Sequence, residues 1–307
     1  MTSRRTLGRL LRLLLVLSAL AVAWPAFSQV LLVVSDGNPA FDEAADAFRS
    51  ELRRLAPRHM VTTVGLKDFG WPGEYQVVVT LGSQAARTVA ALGTHPPAIH
   101  TLLPRNAFER MPGLKEGRDT AIFLDQPASR QVELVRQALP GFNRLAILGG
   151  KDLPELANQL TEAGRERKLT VMRENIGQES ALYPALQRLL TEPAVLIATP
   201  DNSVFNSYSI QNVLLTAYRN RSPVLGFSSA YVRAGAILGL YSTPTQIGQQ
   251  AAEIARGVLA GGPLPPPQAP RYFEVGTNPH VARSMGIPLD DPENLRGRLY
   301  RQEGLTP

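Results

Sequence analysis

The chain has 307 residues, 44% hydrophobic and 19% charged, with a formal net charge of +6. That length accommodates two domains of about 100 to 200 residues, and the ordinary apolar and charged fractions exclude a disordered or fibrous chain. Cysteine is absent, which excludes disulfide scaffolds, thiolate metal sites and a lipidated N-terminal cysteine together.

The first stretch, "MTSRRTLGRLLRLLLVLSALAVAWPAFSQ", carries four arginines, an apolar run from Leu13 to Trp24 and the small-x-small ending Ala26-Phe27-Ser28. This order predicts a secretory signal peptide over residues 1–28, cleaved before Gln29. A membrane anchor needs about 20 apolar residues, and this run is shorter. "SRRTLG" also suits twin-arginine export, so the export route stays open. Cleavage removes Arg4, Arg5, Arg9 and Arg12 with no acid, and the formal charge falls to +2. No lysine–arginine block then remains to track a phosphate backbone, which argues against nucleic acid as a partner. The expected location is the periplasm, free of a lipid anchor.

From there, short apolar runs alternate with helical patterns, the order that builds parallel sheets flanked by helices. The strand "QVLLVVS" leads into "FDEAADAFRSELRRL", whose Phe41, Ala44, Ala45, Phe48, Leu52 and Leu55 share one helical face. "MVTTVGL", "YQVVVTLG", a helix from Ser83 to about Leu92 and "AIHTLL" complete a first array. A second array begins near Asp125 with the helix "ASRQVELVRQAL", closed by Pro140-Gly141, then "RLAILGG", a helix from Pro154, "LTVMRE", a helix to Leu190 and "AVLIAT". A helix from Ser203 to Tyr218 precedes "PVLGFSS". Apolar runs without alternation suit strands buried on both faces, so the chain is read as α/β with two doubly wound halves. "GAILGLYS" and the helix "PTQIGQQAAEIARGVLA" follow, then "GGPLPPPQAP", too stiff and donor-poor for a sheet interior and read as a connector. The tail "RYFEVGTNPHVARSMGIPL" offers one strand and a short helix, after which the chain is polar enough to fray.

Catalytic and cofactor motifs are sparse. His59, His95, His100 and His280 are scattered without a second ligand at metal spacing, and each is read as a surface or loop residue. Neither G-x-x-x-x-G-K-[ST] nor G-x-G-x-x-G occurs, so no nucleotide cofactor is expected. "GFSSA", around Ser228, approximates a nucleophile elbow, but the acids before His280 are Glu253 in a helix and Glu274 in a strand, a poor basis for a hydrolase triad. Polar clusters do fall at strand carboxyl ends, where open α/β sheets bind ligands. They are Ser35 and Asp36; Gly82, Ser83 and Gln84; Thr199, Asp201 and Asn202; and Ser228 and Ser229. Each has a plainer reading, with Asp36, Ser83 and Ser203 as helix N-caps and the glycines in tight turns.

The stretch from "LGSQAA" to "GIPL" resembles the substrate-binding proteins of ABC importers, in the branch with tryptophan- and tyrosine-binding members. The resemblance lies in "TPDNSVFNS", in "SPVLGFSSAYVRAGAILGLYSTPTQIGQQAAEIARGVLAGGPLPP" and in "VGTNPHVARSMGIPL". It implies the type I periplasmic binding protein fold, two Rossmann-like lobes joined by three hinge crossings. The crossings would lie near residues 123–126, 227–230 and 261–270, giving lobe 1 as 29–123 plus 230–262 and lobe 2 as 124–229 plus 263–307. "GAILGLYS" and its helix would then return to lobe 1.

By the same resemblance, Ser35, Asp36, Gly82, Ser83 and Gln84 would offer donors to a ligand carboxylate. Asp201 and Asn202 would accept from its amino group, and Ser228, Ser229 and Tyr231 would line the cleft floor. "IFLDQP" keeps the acid of the first crossing as Asp125, whereas "TPTQIG" lacks the family's aromatic residue. The implied function is a non-enzymatic, monomeric receptor delivering a small polar ligand, such as an amino acid or derivative, to an ABC permease. Two alternatives stay open, a ligand-sensing subunit for a membrane histidine kinase or receptor and a serine hydrolase using Ser228.

Overall fold

The computed structural model describes residues 29–70, 74–150, 154–177, 179–201, 204–206 and 208–305. The signal-peptide expectation, and the readings of Asn202 as a ligand contact and Ser203 as a cap, lie outside them.

Chain order builds two sheets. The first contains β1 (Gln29–Val34), β2 (Met60–Gly65), β3 (Val77–Leu81), β4 (Ala98–Leu103) and β5 (Asp119–Phe123), all parallel, in the order β2-β1-β3-β4-β5. The second contains β6 (Arg144–Gly149), β7 (Thr170–Asn175), β8 (Val195–Ile197), β9 (Val224–Gly226), β10 (Leu238–Tyr241) and β11 (Glu274–Thr277), ordered β11-β10-β9-β8-β6-β7. Its strands are parallel except β11, which runs antiparallel to β10. The strand order reverses at β1/β3 in one sheet and at β6/β8 in the other, and clefts open at the carboxyl ends of strands at such points. β3, β4 and β5 are buried throughout, as parallel strands covered by helices on both faces are.

Helices cover both faces of each sheet. In the first lobe α1 (Pro39–Leu55) buries Ala44, Ala45, Phe48 and Leu52 against one face, while α2 (Ser83–Ala90) and the short α3 (Arg105–Glu109) cover the other. In the second, α4 (Ala128–Ala138) and α5 (Pro154–Glu166) lie on one face, and α6 (Leu182–Leu189), α7 (Ile210–Arg219) and α8 (Ser229–Ala234) on the other. The fold is that of two α/β Rossmann-like lobes.

Three sequence expectations need correction. β10 does not return to the first lobe, because only Gly235, Ala236 and Ile237 separate α8 from β10. Three residues span about 10 Å, and Ala236 and Ile237 are already buried in second-lobe clusters. The helix that follows, α9 (Pro244–Leu259), does return, burying Ile247, Ala251, Ala252 and Ala255 with α1. Gly248 makes that contact possible, since a Cβ there would lie 2.3 Å from the Ala44 carbonyl oxygen. The second crossing is therefore at residues 242–243 and not at 227–230.

The helix expected from Ser203 begins at Ile210 instead. Val204 and Phe205 donate to the Asp201 carbonyl, and Ser209 Oγ donates to the Val204 carbonyl, so local turn bonds hold the preceding residues. Nor does the C-terminus fray. After α10 (Pro279–Met285), α11 (Pro292–Gln302) is capped by Asp291 and buries Leu295, Leu299 and Tyr300, with Tyr300 stacked on Phe273 at 4.3 Å. Its apolar residues are few, but Leu295 and Leu299, four apart, share one face, with Tyr300 beside them.

The proline segment does connect lobes, and it also lies along the edge of β5. Gln268, next after the prolines, donates to the Ala121 carbonyl and accepts from Phe123 N.

Candidate functional site

Three chain crossings make the hinge: residues 124–127 from β5 to α4, 242–243 from β10 to α9, and 260–273 from α9 to β11. Between them lies a cavity of 350 Å³. Leu124 and Asp125 come from the first crossing, Ser228 and Ser229 from the start of α8, Tyr241 from the end of β10 and Ser242 from the second crossing. Leu156, Pro200, Phe227 and Leu240 make much of the remaining wall apolar. A second cavity of 440 Å³ shares Asp125, Gln126 and Leu156 with it and runs out between α3 and α5.

Asp125 is the acid of the hinge cavity. It is nearly buried, and its Oδ2 accepts from Arg105 N at 2.7 Å. Burial pushes its carboxyl above the usual range, opposed by the Arg105 amide and guanidinium. Ser228 caps α8, its Oγ accepting from Tyr231 N at 3.4 Å, and it also lines the cavity. Tyr241 is half-buried, and its hydroxyl is shifted upward by burial and by Glu274.

The structure thus brings Asp125, Ser228 and Ser229 to one cavity. Other candidates have different surroundings. Ser35 Oγ accepts from Ala85 N at 3.0 Å, so a serine at the end of β1 caps α2 across the switch point. Gly82, at φ +94°, precedes that helix, and a Cβ there would lie 2.7 Å from both Phe41 Cζ and Ser35 Oγ. Ser83 is the first residue of α2 and Gln84 is exposed, whereas Asn38, not Asp36, caps α1. Asp36 faces Lys67 at 3.9 Å on the surface.

In the second lobe Asp201 is 1% exposed, and its Oδ2 accepts from Gly150 N at 3.0 Å, tying the β8 loop to the β6 loop at the second switch point. Thr199 is likewise buried. Tyr231 packs in the second-lobe core, its ring 4.6 Å from Phe227, and burial raises its hydroxyl pKa. It belongs to the core beneath Phe227 and does not line the cavity.

Sequence reasoning missed Gln126, Leu156, Tyr241 and Ser242 at the cavity. "LYST" at the end of β10 was the available signal, obscured by assigning that strand to the other lobe.

Two histidines were also misplaced. His95 and His100 are buried around Asp119, with His100 Nε2 2.9 Å and His95 Nε2 3.6 Å from its Oδ1. Parallel pairing of β4 with β5 brings together residues 19 and 24 apart in sequence. Among the described residues no group of three or more His, Asp or Glu is arranged to hold a metal ion. His280, the base a hydrolase would require, contacts Arg283 on α10 instead.

A family model described as "ABC transporter substrate binding protein" matches residues 73–291. The chain belongs to that family. Similar solved structures include a conserved domain protein from Vibrio cholerae, 18% identical with a TM-score of 0.60, covering 89% of this chain and 98% of the other. A domain from Streptococcus pneumoniae in complex with L-Trp is 14% identical with a TM-score of 0.60 over the same shares. A ligand-free, open substrate-binding protein with adhesive properties from Clostridium difficile is 14% identical with a TM-score of 0.68, covering 87% and 97%. No curated protein matches the sequence. At these identities the likeness is one of fold, and it is the type I periplasmic binding protein fold. Substrate-binding proteins of this family are not enzymes; they bind a small molecule and work with an ABC permease. Among the described residues, no helix is long and apolar enough to cross a membrane.

Proposed function

We infer that the mature chain is a periplasmic solute receptor, free of a lipid anchor, that takes a small polar ligand between its lobes and delivers it to an ABC importer. The ligand class is an amino acid or derivative with an amino group. The observation that carries this reading is Asp125, a nearly buried carboxylate in the wall of a hinge cavity that Leu124, Leu156, Pro200, Phe227 and Leu240 also line. A cation entering that space would meet an acid already desolvated, and ion pairing there is stronger than in water. Ser228 and Ser229 stand at the same cavity to meet the ligand's polar atoms. Closure of the lobes then removes the ligand from water.

The test is direct. The mature chain is purified, any co-purifying molecule is identified by native mass spectrometry, and amino acids are screened by thermal shift, with L-Trp first because one structural neighbour holds it. A ligand at a hundred times its Kd stabilises by about 2.7 kcal/mol. The reading fails if no amine-bearing small molecule shifts Tm, or if Asp125→Asn binds such a ligand as tightly as the parent.

A further inference from the structure

Two residues of the cavity wall have their side-chain polar atoms bonded within the protein. Gln126 and Ser242 belong to different crossings, and their side chains bond to each other, with Gln126 Nε2 donating to Ser242 Oγ at 2.9 Å. Ser242 Oγ in turn donates to the Tyr272 carbonyl at 2.5 Å, in the third crossing. On the other side Gln126 Oε1 accepts from Arg130 Nη1 at 2.8 Å. The same nitrogen donates to the Pro270 carbonyl at 3.0 Å, again in the third crossing. The remaining guanidinium nitrogens reach the C-terminal helix, with Nε and Nη2 donating to the two Glu303 carboxylate oxygens at 2.7 and 2.6 Å. Arg130 is 3% exposed, and its guanidinium lies over the Phe273 ring at 4.1 Å.

This chain has a single possible direction. Arginine can only donate and a carbonyl can only accept. The Gln126 amide must therefore present its oxygen to Arg130 and its nitrogen to Ser242, whose hydroxyl must point to Tyr272. Every member is satisfied, and removing one leaves a buried polar group unpaired.

We propose that Arg130, Gln126 and Ser242 form a hinge coupler, one directed hydrogen-bond chain that ties all three interlobe crossings to each other and to the C-terminal helix so that they bend as a unit. The three are positioning residues: they set the angle at which the lobes meet. Gln126 and Ser242 reach the cavity as well, so the same chain lies directly behind the ligand space. The proposal rests on the receptor reading only in that hinge bending serves ligand capture.

The experiment is made on ligand-free protein, so that it does not depend on a ligand being found. The sequence lacks cysteine, and Arg87→Cys on α2 with Gln187→Cys on α6, both exposed, give one labelled position per lobe for single-molecule energy transfer. Ser242→Ala removes the middle of the chain. Gln126→Glu keeps an acceptor for Arg130 but as a carboxylate can no longer donate to Ser242, so it breaks the direction and adds one negative charge beside the Arg130–Glu303 pair, a charge that Ser242→Ala does not introduce. Both variants are expected to at least double the width of the interlobe distance distribution, with Tm within about 5 °C of the parent, and Ser242→Thr to restore the parent width. Unchanged widths in both variants overturn the proposal. Unfolding of both overturns it too, since the network then holds up the lobes and does not set their angle. Failure of every amino acid to bind, with widths altered as expected, would sink the receptor reading and leave the coupler standing.

Discussion

The first-lobe switch point and the hinge wall are both rich in small polar residues, yet they use them in opposite ways. At the end of β1 and β3, the fold consumes the polar atoms: Ser35 caps α2, Gly82 makes the turn and Asn38 caps α1. At the hinge, Asp125, Ser228 and Ser229 border a cavity, and what fixes the backbone around them is a different set, Gln126, Ser242 and Arg130. The same residue types serve structure where their partners are backbone groups one loop away. They become candidates for binding where the crossings hold a space open in front of them. Substitutions should therefore separate the two regions, with stability lost in the first and affinity in the second.

Gly82→Ala is expected to cost most. The alanine would adopt φ +94° and drive its methyl to within 2.7 Å of Phe41 and Ser35, adding backbone strain to overpacking for about 2 to 5 kcal/mol. Urea denaturation measures this, and a loss below 1 kcal/mol would show that the switch point is not rigid. Next is Asp119→Asn, which takes a carboxylate oxygen from His100 and His95; a loss of about 2 kcal/mol is expected in the same assay.

Acid should expose another fold-bound carboxylate on the back of the hinge. Burial pushes Glu133 upward, but bonds from Arg136, Gln137 and Arg167 overcome it and hold its pKa at about 2. A folded pKa below the unfolded value gives stability that is present above about pH 4.5 and lost as pH falls toward 2. Glu133→Gln should flatten that decline by about 1 to 3 kcal/mol, measured as Tm against pH from 6 to 2. A parallel decline in both proteins would mean the ion pairs contribute nothing.

Much of this architecture was legible in the sequence, because it rests on local patterns. The apolar runs of β1 and β3 and the four-apart face of α1 determine element type within a few residues, and the order of elements dictates two doubly wound lobes, although β5, which opens with Asp119 and Thr120, carries no such run and sequence reasoning missed it as a strand. What escaped was set by short connections and distant contacts. Three residues after α8 decide that β10 stays in the second lobe, and Gly248 against Ala44 decides that α9 returns to the first. The cavity wall was half visible. Asp125, Ser228 and Ser229 stand at element ends, where polar clusters announce themselves. Gln126 and Ser242 meet across 116 residues of sequence, and no periodicity encodes such a pair. Asp201 shows the reverse case, a polar residue conspicuous in sequence whose carboxylate ties β8 to β6.

Asp125→Asn should have the smallest effect on stability, and its sign is the informative part. The folded carboxyl is raised above its unfolded value by burial, so ionisation at neutral pH costs stability, a cost present above the unfolded pKa and relieved as pH falls. Asparagine keeps an oxygen to accept from Arg105 N and carries no charge to desolvate. The variant should therefore equal the parent or exceed it by up to about 1 kcal/mol, while an amine ligand binds at least tenfold more weakly. Gain in stability with loss of affinity is what a residue kept for binding shows and what a residue kept for folding cannot. If Asp125→Asn instead destabilises by 2 kcal/mol or more, the hinge acid belongs with Ser35 and Asp119 among the groups that hold the fold, and the contrast between the two regions disappears.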